Sequence, residues 1–119
     1  MKTMLAGALA LGAGFLSLGA DESSLGPAFK NTIVSTYPDG RQGKLWLKAD
    51  GSYTAEGRRK DRSDGRWTVK GDKICLRQSH PATLPLSYCT ALPSGGVGAS
   101  WDAKSVTGEP IKVKLVKGR

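Results

Sequence analysis

Metal ligands and thiol-exchange groups are scarce in this chain of 119 residues, which has one histidine, His80, and two cysteines, Cys75 and Cys89. A metal site needs more ligands than those residues supply, and no Cys-x-x-Cys pair is present for redox exchange. Glycine-rich phosphate loops, dinucleotide fingerprints and metal-ligand spacings are missing too. No metal and no cofactor is expected. Helical periodicity of useful length is also lacking, which points away from helical architectures.

Turn residues are plentiful. The 16 glycines and 6 prolines sit between short β-branched or aromatic runs rather than in one block. That is the spacing of a many-turned β-protein, not of a disordered tail. The formal charge is +8, from 18 basic and 10 acidic residues, so the domain is drawn to polyanions in general. Location narrows the choice. Met1-Lys2-Thr3 is a short positive start, Met4 to Leu18 is uncharged and apolar, and small residues precede Asp21 and Glu22. This is the layout of a cleavable signal peptide over residues 1–20. The run is too short for the roughly 20 residues that span a bilayer. Export to the periplasm or beyond is expected, and nucleic acid is then a poor partner.

Residues 21–28 read as a flexible leader and residues 29–119 as one β-barrel-like domain. Strand signals begin at Asn31–Tyr37 and continue through Lys44–Lys48, Ser52–Glu56, Arg66–Lys70, Lys73–Arg77, Leu86–Ala91, Trp101–Val106 and Ile111–Val116. Asp39-Gly40, Asp50-Gly51 and Gly71-Asp72 supply turns. Alternation places Ile111, Val113 and Leu115 on one face and Lys112 and Lys114 on the other. Leu45 and Leu47 oppose Trp46, and Trp67 and Val69 oppose Arg66 and Lys70. One apolar and one charged face per strand predicts an all-β fold: a small antiparallel barrel or rolled meander of seven to eight strands. Strands of five to seven residues with lysines outside exclude a transmembrane barrel.

Cys75 and Cys89 fall on consecutive antiparallel strands, and a bridge between them on the outer or rim side suits an oxidising compartment. No catalytic constellation is expected. His80 reads as an exposed loop histidine, and neither Ser79 nor Ser87 has the spacing of a nucleophilic triad. Most of Asp50, Glu56, Asp61, Asp64, Asp102 and Glu109 fall in turns, where carboxylates serve the backbone. The segment Gly57 to Arg66 reads as a basic loop, and Arg58, Arg59, Lys60, Arg62 and Arg66 are the candidate anion-binding residues. Arg41, Lys70, Lys73 and Arg77 would extend them. Trp46, between two lysines, is a candidate surface aromatic, whereas Trp67 and Trp101 belong to core or rim packing.

The runs Y-P-D-G-R, K-L-W-L-K-A-D-G-S-Y, G-R-W-T-V-K-G-D-K-I-C-L and Y-C-T-A-L-P, between Tyr37 and Pro93, resemble small exported bacterial proteins of unassigned function. That resemblance implies a lipocalin-like barrel and no activity. Trp67 to Gly71 resembles, more weakly, a segment of membrane-bound lysozyme inhibitors, but their Ser-Gly segment and tyrosine are not evident here. The expectation from sequence is a non-enzymatic exported binding protein that touches an anionic lipid, glycan or envelope protein through its basic loop. It would be peripheral rather than integral to a membrane. The alternatives are a carrier of a small apolar ligand and an inhibitor of an extracellular hydrolase. The carrier ranks second, because Leu, Ile and Trp are expected to fill so small a barrel.

Overall fold

A computed structural model of the chain describes residues 25–84, 86–93 and 95–119; the expected signal peptide, 1–20, lies outside them. Eight antiparallel strands form one sheet: β1 (Thr32–Thr36), β2 (Gln42–Leu47), β3 (Ser52–Glu56), β4 (Arg62–Lys70), β5 (Lys73–His80), β6 (Tyr88–Ala91), β7 (Ser100–Lys104) and β8 (Pro110–Val116). The order across the sheet is β6-β5-β4-β3-β2-β1-β8-β7. The chain is thus a meander whose last hairpin returns to pair with its first strand, Ile33 opposite Leu115 and Ser35 opposite Val113. The sheet rolls into a nearly closed barrel. Its seam lies between β6 and β7, where the Tyr88 hydroxyl donates to the Lys104 carbonyl.

Strand parity holds. Ile111, Val113 and Leu115 are buried, and the residues between them are exposed. The expected basic loop is shorter than read: the turn is Gly57 to Asp61, and β4 already begins at Arg62. Alternation explains this, since Ser63, Gly65 and Trp67 turn inward while Arg62 and Arg66 stay outside. The strand containing Cys75 likewise runs on to His80, so that histidine ends a strand rather than sitting within a loop. The leader also differs from expectation. Residues 21–24 are outside the described set, but Gly26–Phe29 form one helical turn, α1, with Leu25 and Ala28 buried. Apolar side chains in that short segment close one end of the barrel. Phe29 stacks on Trp67 with ring centroids 5.9 Å apart, and the Trp67 indole donates to the Lys48 carbonyl at 2.8 Å. Leu25, Leu47, Ile74 and Leu115 complete this base.

Two local features set the curvature and hold the edge. Asp64 faces His80 while Gly65 faces Gln78, so the register shifts at this point and Ser79 is the extra residue. Such a bulge bends its strand and increases twist. A Cβ on Gly65 would lie 2.0 Å from the Arg77 carbonyl oxygen, so only glycine permits the close approach. At the edge, Cys75 and Cys89 are directly opposite in the β5–β6 pair and form the expected disulfide. A disulfide between them is consistent with an oxidising compartment.

Gly65→Ala is expected to cost about 1–3 kcal/mol, lowering the melting temperature by roughly 4–8 °C per kcal/mol. Gly26→Ala, where an added Cβ meets nothing within 4 Å, is expected to leave melting by circular dichroism unchanged. Replacing both Cys75 and Cys89 by serine is expected to cost about 3 kcal/mol, the loop-closure value for some fifteen residues, read as a lower denaturant midpoint.

Candidate ligand-binding site

The inner face of the barrel changes character from base to mouth. At the base the inward residues are large: Leu47, Trp67, Ile74 and Leu115, all buried. Towards the other end several of them are small. Ser35 pairs with Gly43 across β1 and β2, and Ala55 pairs with Ser63 across β3 and β4. Four small residues in two adjacent rows leave space that the base does not have. The result is a cavity of about 650 Å³, open at the mouth and bounded by Leu45, Tyr53, Ala55, Leu76, Tyr88 and Ile111. A second, more exposed hollow adjoins the rim beside Tyr37, Pro38, Lys104 and Lys112.

Most of the lining surface is apolar, but Lys44 and the carboxylates of Glu56 and Asp61 also border the cavity. The Tyr53 side chain is 5% exposed, and its hydroxyl has no hydrogen-bond partner among the described residues. Burial, with the Asp64 carboxylate adding to it, raises its pKa above the ordinary 10.0. Burial also raises that of Tyr37, opposed by the cation of Arg58. Both phenols are therefore neutral donors at physiological pH. Ser35, Ser63 and Gln78 add hydroxyl and amide groups to the wall.

Four connections surround the mouth: residues 37–41, 57–61, 81–87 and 105–109. Arg58 ties three of them together. Its guanidinium donates to Glu109 at 2.7 and 3.4 Å and to Asp39 at 3.4 Å, and it lies 4.2 Å from the centroid of the Tyr37 ring. The bond to Glu109 holds Arg58 even more firmly in its charged form.

The candidate anion-binding residues do not converge. Arg58 is committed to this latch. Arg59 and Lys60 occupy the exposed tip of the turn, with no ion pair among the described residues. Arg62 stands on the outer wall, its guanidinium carbon 6.0 Å from the Trp46 ring centroid. Arg66 reaches towards the base, donating to the Asp50 carbonyl at 3.1 Å. Of the extending cations, Arg41 is at the mouth, whereas Lys70 and Lys73 flank the β4–β5 turn at the base. Trp46 faces outward as parity requires, and its indole donates to the Thr32 hydroxyl at 2.9 Å. Thr32 in turn donates to the Gly118 carbonyl at 2.7 Å, which fastens the chain's end to the barrel.

His80 is exposed, with Nδ1 2.8 Å from the Asp64 carboxylate on the outer face. Asp102 pairs with Lys112 at 2.9 Å, and Asp50 accepts from the Ser52 hydroxyl at 2.6 Å. Each of these carboxylates serves a local contact. Sequence reading ranked a carrier second on the expectation that Leu, Ile and Trp fill the barrel, although the signal for a cavity was present: at Ser35, Gly43, Ala55 and Ser63 the inward alternation loses its bulk.

Raised tyrosine pKa values favour the neutral phenol in the folded state. The stability they contribute is complete below about pH 10 and is lost as pH rises through the higher folded values. Absorbance titration at 295 nm is expected to show a late component that Tyr53→Phe removes. The same variant is expected to shrink the fall in denaturant midpoint above about pH 10. No protein-family model, curated protein or solved structure matches this chain, so its likeness to exported barrels or to lysozyme inhibitors rests on the sequence motifs alone.

Proposed function

We propose that this is an exported, non-enzymatic binding protein that carries a small, mostly apolar molecule in the open half of its barrel. The observation that carries this reading is the cavity of about 650 Å³, a size in the range of small-molecule sites. It reverses the ranking drawn from sequence. Leu, Ile and Trp fill the base of the barrel, but small residues line the mouth half, and the space is there.

The wall fits an apolar body with one or two hydrogen-bonding groups. Leu45, Ala55, Leu76 and Ile111 offer hydrocarbon contact, and Tyr53 offers a buried hydroxyl without a partner among the described residues. An unpaired buried hydroxyl costs about 1–3 kcal/mol, a cost that a ligand carbonyl, ether or hydroxyl at that point would relieve. The Arg58 latch, joining Asp39, Glu109 and Tyr37, fixes the shape of the mouth before a ligand arrives and so lowers the ordering cost of binding. The basic turn becomes a rim element in this reading, with Arg59 and Lys60 as its outward cations.

The test is fluorescence titration with the neutral apolar probe N-phenylnaphthylamine. The native protein is expected to enhance and saturate its emission. Ala55→Leu, which fills the cavity from its wall, is expected to weaken binding by about tenfold while melting at the same or a higher temperature. No saturable enhancement by the native protein, or equal affinity in Ala55→Leu, overturns the reading.

A further inference from the structure

Among the described residues, five large hydrophobic side chains are conspicuously exposed: Leu84, Leu86, Val97, Val106 and Val116. Three of them, Leu84, Leu86 and Val106, line the rim of the cavity. They stand on two separate connections, β5–β6 and β7–β8, at the same end of the barrel. Leu86 is 80% exposed and Val106 77%, so their side chains project into solvent rather than cover the cavity. The connections that carry them are nearly free of charge. Residues 81–87 have none, and the 105–109 turn has only Glu109, which Arg58 neutralises at 2.7 Å. Across the mouth, Arg59 and Lys60 project from the 57–61 turn, and Arg41 is exposed on the neighbouring one. Of the remaining rim acids, Asp39 is paired with Arg58, whereas Glu56 and Asp61 line the cavity itself.

We propose that this rim is a membrane-surface contact: Leu84, Leu86 and Val106 enter the interfacial region of an anionic bilayer while Arg59 and Lys60 meet lipid phosphates. Charge chooses the partner. A chain of net charge +8 is attracted to an anionic surface, and basic residues near that surface strengthen the attraction. Protruding apolar side chains beside such cations are the combination that holds a protein in the interface without crossing it. A flat protein partner would need a continuous patch of several hundred Å², whereas these residues stand as separate points on two turns. The inference rests on the carrier reading only for its consequence: the mouth would face the lipid, so that a ligand passes between acyl region and cavity without crossing water.

The test is binding to vesicles of phosphatidylglycerol mixed with phosphatidylethanolamine, measured by flotation and compared among variants of the same chain. Leu86→Ser with Val106→Ser is expected to weaken binding by about tenfold. Arg59→Gln with Lys60→Gln is expected to weaken it by a similar factor and to reduce its salt dependence. In Leu86→Trp, emission is expected to shift to the blue on vesicle addition and to be quenched by brominated acyl chains, a site-specific signal beyond that of the parent protein. Ala55→Leu is expected to float with vesicles as the native protein does. Loss of flotation with both charge changes but none with the apolar pair would mean simple adherence to any polyanion, heparin included, and would overturn the proposal. So would a Leu86→Trp spectrum that vesicles leave unchanged. Failure of vesicle binding with N-phenylnaphthylamine binding intact would sink the membrane contact and leave the carrier reading standing. The reverse pair of results would sink the carrier reading and support the contact.

Discussion

A meander of short strands stays an open ribbon unless its first strand finds a second partner. Here Thr32–Thr36 takes Gln42–Leu47 on one side and Pro110–Val116 on the other. That second pairing brings the last hairpin round the front of the sheet and gives every inner face something to pack against. Around this closure sit contacts from distant parts of the chain. Asn31 accepts from the Gly118 backbone at 2.9 Å, and the Thr32 hydroxyl bridges Trp46 and Gly118. Leu115 is essentially inaccessible beneath them. Because the ladder supplies the backbone hydrogen bonds, the inner side chains are free to vary in size without unmaking the fold.

That freedom is spent unevenly along the barrel axis. Aromatic and branched residues with α1 seal the base, and glycine, alanine and serine widen the mouth. A gradient of this kind separates two tasks that compete in a small domain, holding the fold together and leaving space inside it. The disulfide serves the first task at the sheet edge, where β6 has a ladder on one side only. Arg58 serves the second, because its links to Asp39 and Glu109 tie three of the connections around the mouth to one another. One arginine that reads as a surface cation in sequence is thus a structural part of the rim.

Much of the fold was legible in the residues. Alternation in Ile111–Val116, the Asp-Gly turns and the spacing of Cys75 and Cys89 each express a local rule, and the structure obeys them. Other features depend on contacts between distant residues, which periodicity does not carry. Leu25 and Ala28 look like leader until a barrel base exists for them to cover. Arg58 looks solvated until Glu109, fifty-one positions away, is folded beside it. The bulge at Gly65 was hidden because the close approach to Arg77 is made by another strand's backbone. The cavity sits between these cases. Its small inward residues were visible one strand at a time, but only the register that aligns Ser35 with Gly43 and Ala55 with Ser63 puts them in one place.

The central claim is that the mouth half of the barrel is hollow and mainly apolar inside. Crystals pressurised with xenon test it most directly, since xenon occupies apolar cavities without needing any hydrogen bond. Xenon density between Ala55, Leu76 and Ile111, with none at the base around Trp67 and Ile74, is the predicted result. Side chains of the mouth half found collapsed on one another, with no xenon inside the sheet, would contradict the account.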